Sequence, residues 1–455
     1  MSSNALSARG PVSEQDAKRA LRIVFLTVFL DMAGFSIIFP LYPSMLTYYL
    51  HEQGSVGLLG GIVHALEAFS AYIGANAENG LVVLFGGFLG SMYALLQFVC
   101  APVMGSLSDR YGRRPILLFS IGGLALSYLL WVFAGDFGVL ILARFIGGLM
   151  SGNISTASAV IADVTPDERR SRGMAVLGLA VGLGFMLGPA LGGIMSVFDL
   201  THYWPRLAQY GVNPYSMAAL TAFLLTGANW VSVLTSLRET RRVGAPVAPA
   251  ARRPVNPLAL LQTEGYPGVS LTNLIYFVFL LAFSGMEFSL TFLATDRFGY
   301  GPKQITIMFL FIGVVLAFMQ GSYVRTRSGV IGPRRMGFHG LLLGIPALAV
   351  VGYAPNVWVF FAGLFIMAIG SAQVRPCLSA LVSLYTPEQE QGRILGIFRS
   401  LESLARAIGP LVACVLYWRL GASLAYYVAA AVMTIPVLLA RSLPEPNGAL
   451  ARESA

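Results

Sequence analysis

The sequence predicts an all-α membrane protein, with twelve transmembrane helices in two six-helix pseudo-symmetric bundles and both termini in the cytoplasm. Three observations predict it. The 455 residues are 56% hydrophobic and only 11% charged, with a mean hydropathy of +0.71, whereas soluble domains average about 25% charged residues. The apolar residues gather in long unbroken runs with no alternation, each near the roughly 20 residues a helix needs to cross a bilayer, which favours helices over barrel strands. A short loop-plus-helix pattern also occurs twice, once in each half of the chain.

The runs lie at 21–48, 82–104, 115–134, 138–162, 174–198 and 216–237, then at 269–293, 304–324, 336–353, 357–384, 394–418 and 422–440. Six and six divide the chain into a tail at 1–20, a bundle at 21–237, a linker at 238–268, a bundle at 269–440 and a tail at 441–455. The linker reads RETRRVGAPVAPAARRPVNP at its core, rich in Pro, Ala and Arg and without an apolar period.

The net charge of +9 rests almost wholly on arginine, Lys18 and Lys303 being the two lysines. The basic residues sit in short segments between apolar runs, which reads as membrane topology and not as a nucleic-acid surface. The two tails, counting Arg22 just past the first, and alternate connections, including 105–114, 163–173, 238–268, 325–335 and 386–393, hold 22 Arg and Lys, while the intervening connections hold four. By the positive-inside rule the basic set is cytoplasmic. No cleavable signal peptide is expected from the polar start. Cys100, Cys377 and Cys414 all fall inside apolar runs and suggest small core residues, not a disulfide framework. The outer connection 49–80 is long, and its stretch LLGGIVHALEAFSAYIG suits a helix along the membrane surface.

The repeat is specific. TPDERRSRG begins at Thr165, with Gly188-Pro189 23 residues later; TPEQEQGR begins at Thr386, with Gly409-Pro410 23 residues later. Both pairs are offset by 221 residues, the internal symmetry expected of a transporter built around a central cavity.

Four stretches carry chemistry. GSLSDRYGRRPILL, from Gly105, puts Asp109, Arg110, Gly112 and Arg113 between two apolar runs. FLDMAGFSIIFPLYP holds Asp31, Gly34, Pro40 and Pro43; LILARFIGGLMSG holds Arg144 and Gly148; GLGFMLGPALGG holds Gly184, Gly188, Pro189, Gly192 and Gly193. Gly184, Gly188 and Gly192 recur every four residues, so they form one smooth helix face that permits close backbone contact, and Pro189 removes a hydrogen bond there.

These stretches occur in the order known from the major facilitator superfamily, and the chain resembles that family over nearly all its length. It is most similar to the twelve-span drug:proton antiporters that include tetracycline exporters, notably at FSGMEFSLTFLATDRFG (283–299) and GRILGIFRSLESLARAIGP (392–410). The resemblance implies the major facilitator fold, a functional monomer, and secondary active export of a small amphiphilic compound coupled to protons by alternating access. It implies that Gly105, Asp109, Arg110, Gly112, Arg113 and Asp163 form a latch, with Asp109 facing the start of span 11 near Gly392 to Leu395. Gly184, Gly188, Pro189, Gly192 and Gly193 then match the antiporter motif. The second-half counterpart of the latch departs from the pattern, with Arg325 where Asp is expected and extra residues before Gly332.

Ionisable residues in mid-membrane cost several kcal/mol, on the order of 2.5–3.5, and so mark candidate sites. Asp31 and Arg144 are the first two, the resemblance linking Arg144 to proton transfer. A structural arginine or an interfacial aspartate is the alternative for each. The second half adds Glu287, Arg375, Arg399, Glu402 and Arg406. Arg399, Glu402 and Arg406 share one helix face and can neutralise one another. Alternatively Arg375 or Arg406 meets an anionic substrate group. Glu287 reads as a second proton site or a cation-recognising carboxylate. Phe35, Phe39, Tyr42, Tyr93 and Phe185 can line a cavity or pack in the core. The charges nearly balance, so the sequence leaves the substrate's charge open.

A Walker A stretch is missing, so ATP drive is not expected, and the transporter reading calls for neither a cofactor nor enzyme activity. The partners expected are a small-molecule substrate, protons and the lipid bilayer, and no metal or nucleic acid. The expected location is a bacterial inner membrane, with an internal eukaryotic membrane as alternative. Facilitated uptake, lysolipid or organic-anion transport, and a non-transporting sensor of the same fold remain rival functions.

Overall fold

A computed structural model describes residues 14–54, 56–73, 80–165, 167–241, 266–386 and 391–445. Among these, all regular structure is helical. Residues 1–13 and 446–455 of the two tails, most of the expected linker and part of the 163–173 connection lie outside the described residues.

Among the described residues, twelve helices are long and apolar enough to cross a membrane: spans 1 to 6 at Gln15–Gln53, Phe85–Tyr111, Arg113–Val132, Phe137–Val164, Val176–Tyr203 and Ser216–Ser236, and spans 7 to 12 at Pro267–Phe298, Lys303–Ser328, Pro333–Tyr353, Val357–Leu384, Ile397–Leu420 and Ala422–Arg441. Large apolar side chains on their outer faces, such as Val99, Phe119, Leu126, Phe318 and Leu438, are exposed. That is the surface lipid would cover. The turns opposite the basic connections add exposed Tyr203, Trp204, Tyr210, Tyr353 and Trp358, aromatic residues suited to the membrane–water interface.

Packing repeats between the halves. Span 1 packs on span 5 as span 7 does on span 11, span 3 on span 6 as span 9 on span 12, and span 2 on span 11 as span 8 on span 5. The last two pairs join the halves and are related by the same pseudo-twofold.

Several spans are interrupted, each for a local reason. Span 1 is α-helical to Ser36, continues as a 3-10 turn at Phe39–Leu41 where Pro40 withholds its N–H, and resumes at Tyr42–Gln53. Span 4 breaks between Met150 and Asn153, at Ser151-Gly152. In lipid the freed carbonyl needs a donor, and Gln97 of span 2 supplies it, its Nε2 donating to Ser151 O at 3.2 Å. Span 8 carries a π-helical segment at Met319–Val324 and then runs on as helix to Ile331. The extra residues before Gly332 are thus absorbed within the helix. Pro189 and Pro410 both sit inside unbroken helices.

The long outer connection also becomes helix. Gly57–Ile73 packs against spans 2 and 4, burying Leu59 and Val63. Span 1's extension is tied to the turn between spans 3 and 4: Tyr49 Oη donates to Ala134 O at 2.6 Å and Gln53 Nε2 to Gly135 O at 3.1 Å.

Candidate functional site

The glycine face of span 5 is built against the backbone of span 1. A Cβ at Gly184 would lie 2.3 Å from Phe29 O, at Gly188 2.4 Å from Ala33 O, and at Gly192 1.8 Å from Ile37 O. Three glycines four residues apart therefore meet three carbonyls four residues apart, in parallel register. Gly193 is buried on the same helix, and its carbonyl accepts from Ser196 Oγ at 2.8 Å. At the 221-residue offset the same positions are Ala405, Gly409 and Ala413. Gly409 likewise abuts Ser284 and Leu281 O of span 7.

This close contact sets the position of Asp31, which lies on span 1 between Phe29 and Ala33. Asp31 is buried and neither carboxylate oxygen has a hydrogen-bond partner. Gly34, one turn on, makes room for Tyr128: a Cβ there would be 2.0 Å from the phenol oxygen. Tyr93 of span 2 and Tyr128 of span 3 are within electrostatic reach of both Asp31 and Arg144. Arg144 reaches the centre because Gly148, one turn away, lets span 4 approach Leu96 of span 2. Its guanidinium lies 4.4 Å from the Tyr93 ring centroid, with one long bond of 3.5 Å to Phe35 O. Asp31 and Arg144 do not form an ion pair. The Arg144 guanidinium is turned to the aromatic ring of Tyr93 instead.

The second half contributes the complementary charges. Glu402 is doubly paired, receiving Arg399 Nη1 at 2.9 Å and Arg406 Nη2 at 2.7 Å. Spacings of three and four on span 11 put all three on one face, and burial of Glu402 and Arg406 makes the pairing mutual support. Arg406 also crosses to the first half, its Nη1 3.2 Å from Met32 Sδ and its guanidinium 4.8 Å from the Phe185 ring. Arg399 approaches span 5 where Gly178 leaves space, 2.8 Å from a Cβ placed there. Glu287 is buried with Oε2 unpartnered. Arg375 sits 5.5 Å over the Phe283 ring, and no hydrogen bond or ion pair engages its guanidinium among the described residues.

Between these charges and the end opposite the basic connections lies an aromatic layer. Phe35, Phe39, Tyr42, Tyr93 and Phe185 do come together, with ring centroids 4.8–5.9 Å apart, and Phe288 of the second half joins them at 5.6 Å from Phe39 and 5.8 Å from Tyr42. The halves meet again there, Gly87 against Cys414 and Gly86 against Phe292.

At the basic end, Gly105 brings span 2 onto Ser155 of span 4, a Cβ there falling 2.5 Å from Ser155 Oγ. Arg113 joins three groups: Nε donates to Asp163 Oδ2 at 2.9 Å, and Nη1 to Ser108 Oγ at 2.8 Å and to the Asp109 carboxylate. Asp109 is exposed and, among the described residues, pairs with Arg113 alone; the side chains of 391–393 at the start of span 11 are not among those described. Arg110 is exposed, its guanidinium 5.3 Å from the Tyr111 ring. The side chain of Arg325 is likewise not described. In this structure the cluster binds spans 2, 3 and 4 of one half together.

One member of that cluster escaped the sequence reading. Glu239, just past span 6, accepts from the backbone N–H of Arg113 at 2.9 Å and of Arg114 at 3.1 Å, capping the start of span 3 after Gly112, whose φ is +107°. Arg114 returns a bond to Leu234 O at 2.6 Å, Thr240 Oγ1 donates to Asp163, and Arg241 Nη1 donates to Arg110 O at 2.6 Å. The second half repeats the clasp: Arg334 of span 9 pairs with Glu445 just past span 12 and donates to Arg441 O at 3.0 Å. Tyr385 Oη donates to Pro444 O at 2.6 Å, and burial pushes that hydroxyl up to about 12, so it stays a donor. A legible signal existed: Ser-Leu-x-Glu occurs at 236–239 and again at 442–445. Replacing Glu239 with Ala is expected to cost about 1–2 kcal/mol, the usual value of a helix cap, read as a lower melting midpoint of the detergent-solubilised protein. Glu239→Gln should recover part of the loss, and no shift in Glu239→Ala would show the cap to be idle.

The sequence profile of the Major Facilitator Superfamily matches residues 24–331 and 328–455. The chain is 36% identical to bovine major facilitator superfamily domain-containing protein 10, over 98% of each chain, and 34% identical to the human protein of that name, over 98% of each. It is 27% identical to the class C tetracycline resistance protein of Escherichia coli, over 88% of this chain and 90% of that one. The crystal structure of the human organic anion transporter MFSD10 (TETRAN) superposes with a TM-score of 0.76 at 33% identity, covering 93% of this chain and 99% of that one. A bacterial homologue of the human lysosomal transporter Spinster, inward-facing and unoccupied, shares the fold with a TM-score of 0.67 at 14% identity, over 95% and 98% of the two chains.

Proposed function

The chain belongs to the major facilitator superfamily, and from that premise we propose that it moves a small amphiphilic organic anion across a membrane by alternating access, with Arg375 as the anion's anchor and Asp31 and Glu287 as proton carriers. One observation carries the substrate class. The centre holds four arginines, Arg144, Arg375, Arg399 and Arg406, and three carboxylates, Asp31, Glu287 and Glu402, a near balance in which the pairing decides. Glu402 is already taken by two arginines, and Arg375 is left over with an aromatic face beside it. A planar cation with free donors next to a ring suits a flat carboxylate or sulfonate. The similarity to a human organic anion transporter points the same way.

Arg375→Ala is expected to lower kcat/KM for naphthalene-1-sulfonate flux in proteoliposomes more than tenfold, the scale of one lost charge-assisted bond, with the melting midpoint kept. Arg375→Lys should restore part of the flux. Unchanged flux in Arg375→Ala would remove the anchor.

A second reading is supported by the antiporter motif and the tetracycline resistance relatives: a cationic cargo exchanged for protons, competing with them at Asp31 and Glu287. Flux of N-methylquinolinium in place of the sulfonate would select it. In either reading the basic end faces the cytoplasm with both termini, the protein works as a monomer, and Asp109, exposed and singly paired, is the latch member that changes partner when that end closes on span 11. The mammalian relatives are more similar to the chain than the bacterial one, so the expected bacterial inner membrane gains no support from them.

A further inference from the structure

We infer that the anion and protons bind this centre cooperatively, so that the protein carries its anion in company with protons and not in exchange for them; the inference rests on the anionic reading above. The antiporter motif alone suggests the reverse. The arrangement of charges argues otherwise.

Exchange requires that proton and substrate compete for the same group. A cation competes with protons, because both are drawn to Asp31 and Glu287. An anion does not. It is drawn to Arg375, and every carboxylate that stays ionised nearby opposes it. With all carboxylates ionised, the centre sets four guanidinium groups against three carboxylates; a proton on each of Asp31 and Glu287 leaves four against one. Glu402 is not counted in the change, since each of its oxygens is already bonded to an arginine, at 2.7 and 2.9 Å.

Geometry selects the same two carboxylates as proton sites. Asp31 has two buried oxygens without a partner and Glu287 has one. Facing Asp31 are Tyr93 of span 2 and Tyr128 of span 3, both also within reach of Arg144 of span 4. Spans 5 and 6, which pack on span 1 as well, bring no titratable group to it among the described residues. Within electrostatic reach of Glu287 are Arg375 of span 10 and Arg406 of span 11. Span 12 brings Tyr426, whose hydroxyl is committed to Met286 O at 3.1 Å. Glu287 thus shares Arg375 with the incoming anion. An ionised Glu287 and a bound anion draw on one guanidinium, and a proton on Glu287 releases it. Linkage makes the effect reciprocal: the anion raises the affinity for protons by the factor that protons raise the affinity for the anion. Each proton is expected to strengthen anion binding about tenfold or more, since it removes one like charge from a site whose effective dielectric constant is well below that of water.

The test uses the full-length protein in proteoliposomes, with the membrane potential held at zero by potassium and valinomycin. The probe is naphthalene-1-sulfonate, whose charge does not change with pH, and N-methylquinolinium is its permanently cationic counterpart. The expected result is accumulation of the sulfonate inside vesicles when the outer medium is acidic, abolished by a protonophore. Sulfonate affinity should rise at least tenfold between pH 8 and pH 6, and Glu287→Gln and Asp31→Asn should each flatten that rise. Accumulation with the acidic side inside, or sulfonate flux indifferent to the gradient, would overturn the inference and leave anion transport standing. Absence of sulfonate flux, with or without movement of N-methylquinolinium, would overturn the anionic reading and the inference together. Failure of either variant to insert does not blunt the test, because the gradient arms need only the unmodified protein.

Discussion

Replacing Glu402 with Ala is expected to cost about 3–5 kcal/mol of stability and to abolish transport. The size follows from what the carboxylate holds. It is buried between Arg399 and Arg406, each bonded to a different oxygen, and Arg375 lies within electrostatic reach. Removing one partner of a buried pair leaves the other charge desolvated without compensation, a loss of that size. Here two guanidinium groups lose an ion pair at once, and Arg406 keeps a sulfur at 3.2 Å, an aromatic face and the electrostatic reach of Glu287 in place of a bonded carboxylate. Glu402→Gln keeps an acceptor but not the charge, and belongs between the wild type and Glu402→Ala. The decisive measurement is a double-mutant cycle on melting midpoints. Adding Arg399→Gln to Glu402→Gln should recover part of the loss, giving a coupling between the sites of about 1–3 kcal/mol. Additive losses would mean that the pairing carries no stability.

What the sequence made legible here was local. The twelve spans needed only long apolar runs, which the bilayer demands whatever the packing. Glu402's pairing needed only the three- and four-residue spacing of one helix face. Bonds between helices were harder. Whether Arg144 meets Asp31 depends on how spans 1 and 4 are rotated about their axes, and the sequence carries no angle; the guanidinium turns to Tyr93 instead. Arg406 meeting Met32 spans 374 positions of chain, a contact that only the docking of the two halves creates. Glu239 and Glu445 were missed for a different reason. They lie at span ends, where polar residues pass as loop, and their repeated Ser-Leu-x-Glu acquires meaning once both are seen to return to the starts of spans 3 and 9. The break in span 4 sits at Ser151-Gly152, a pair whose helix-weakening character was visible, but Gln97's part in satisfying the freed carbonyl was not.

The glycine face of span 5 gives the other large effect, with an internal control. Alanine at Gly192 is expected to destabilise most, and at Gly184 and Gly188 somewhat less, each by about 1–3 kcal/mol, the usual cost of overpacking. The order follows from distance: the new carbon would fall 1.8 Å from Ile37 O, 2.3 Å from Phe29 O and 2.4 Å from Ala33 O. In each case the obstacle includes a backbone carbonyl, which cannot swing aside as a long side chain can. Gly182, on the same helix, is the control; its nearest neighbour would be Arg375 Nη1 at 3.9 Å, so Gly182→Ala should be neutral or gain slightly from better helix propensity. Melting midpoints ranked in that order would establish that span 1 and span 5 are held at backbone contact, and equal midpoints for all four would refute it. Function should follow the same ranking. Span 1 pushed away from span 5 takes Asp31 with it, since that residue lies between the carbonyls of Phe29 and Ala33. The small residues of span 5 thereby fix the depth and angle of the carboxylate whose protonation the transport cycle is proposed to use, and alanine variants that still fold should lose gradient-driven accumulation before they lose downhill flux.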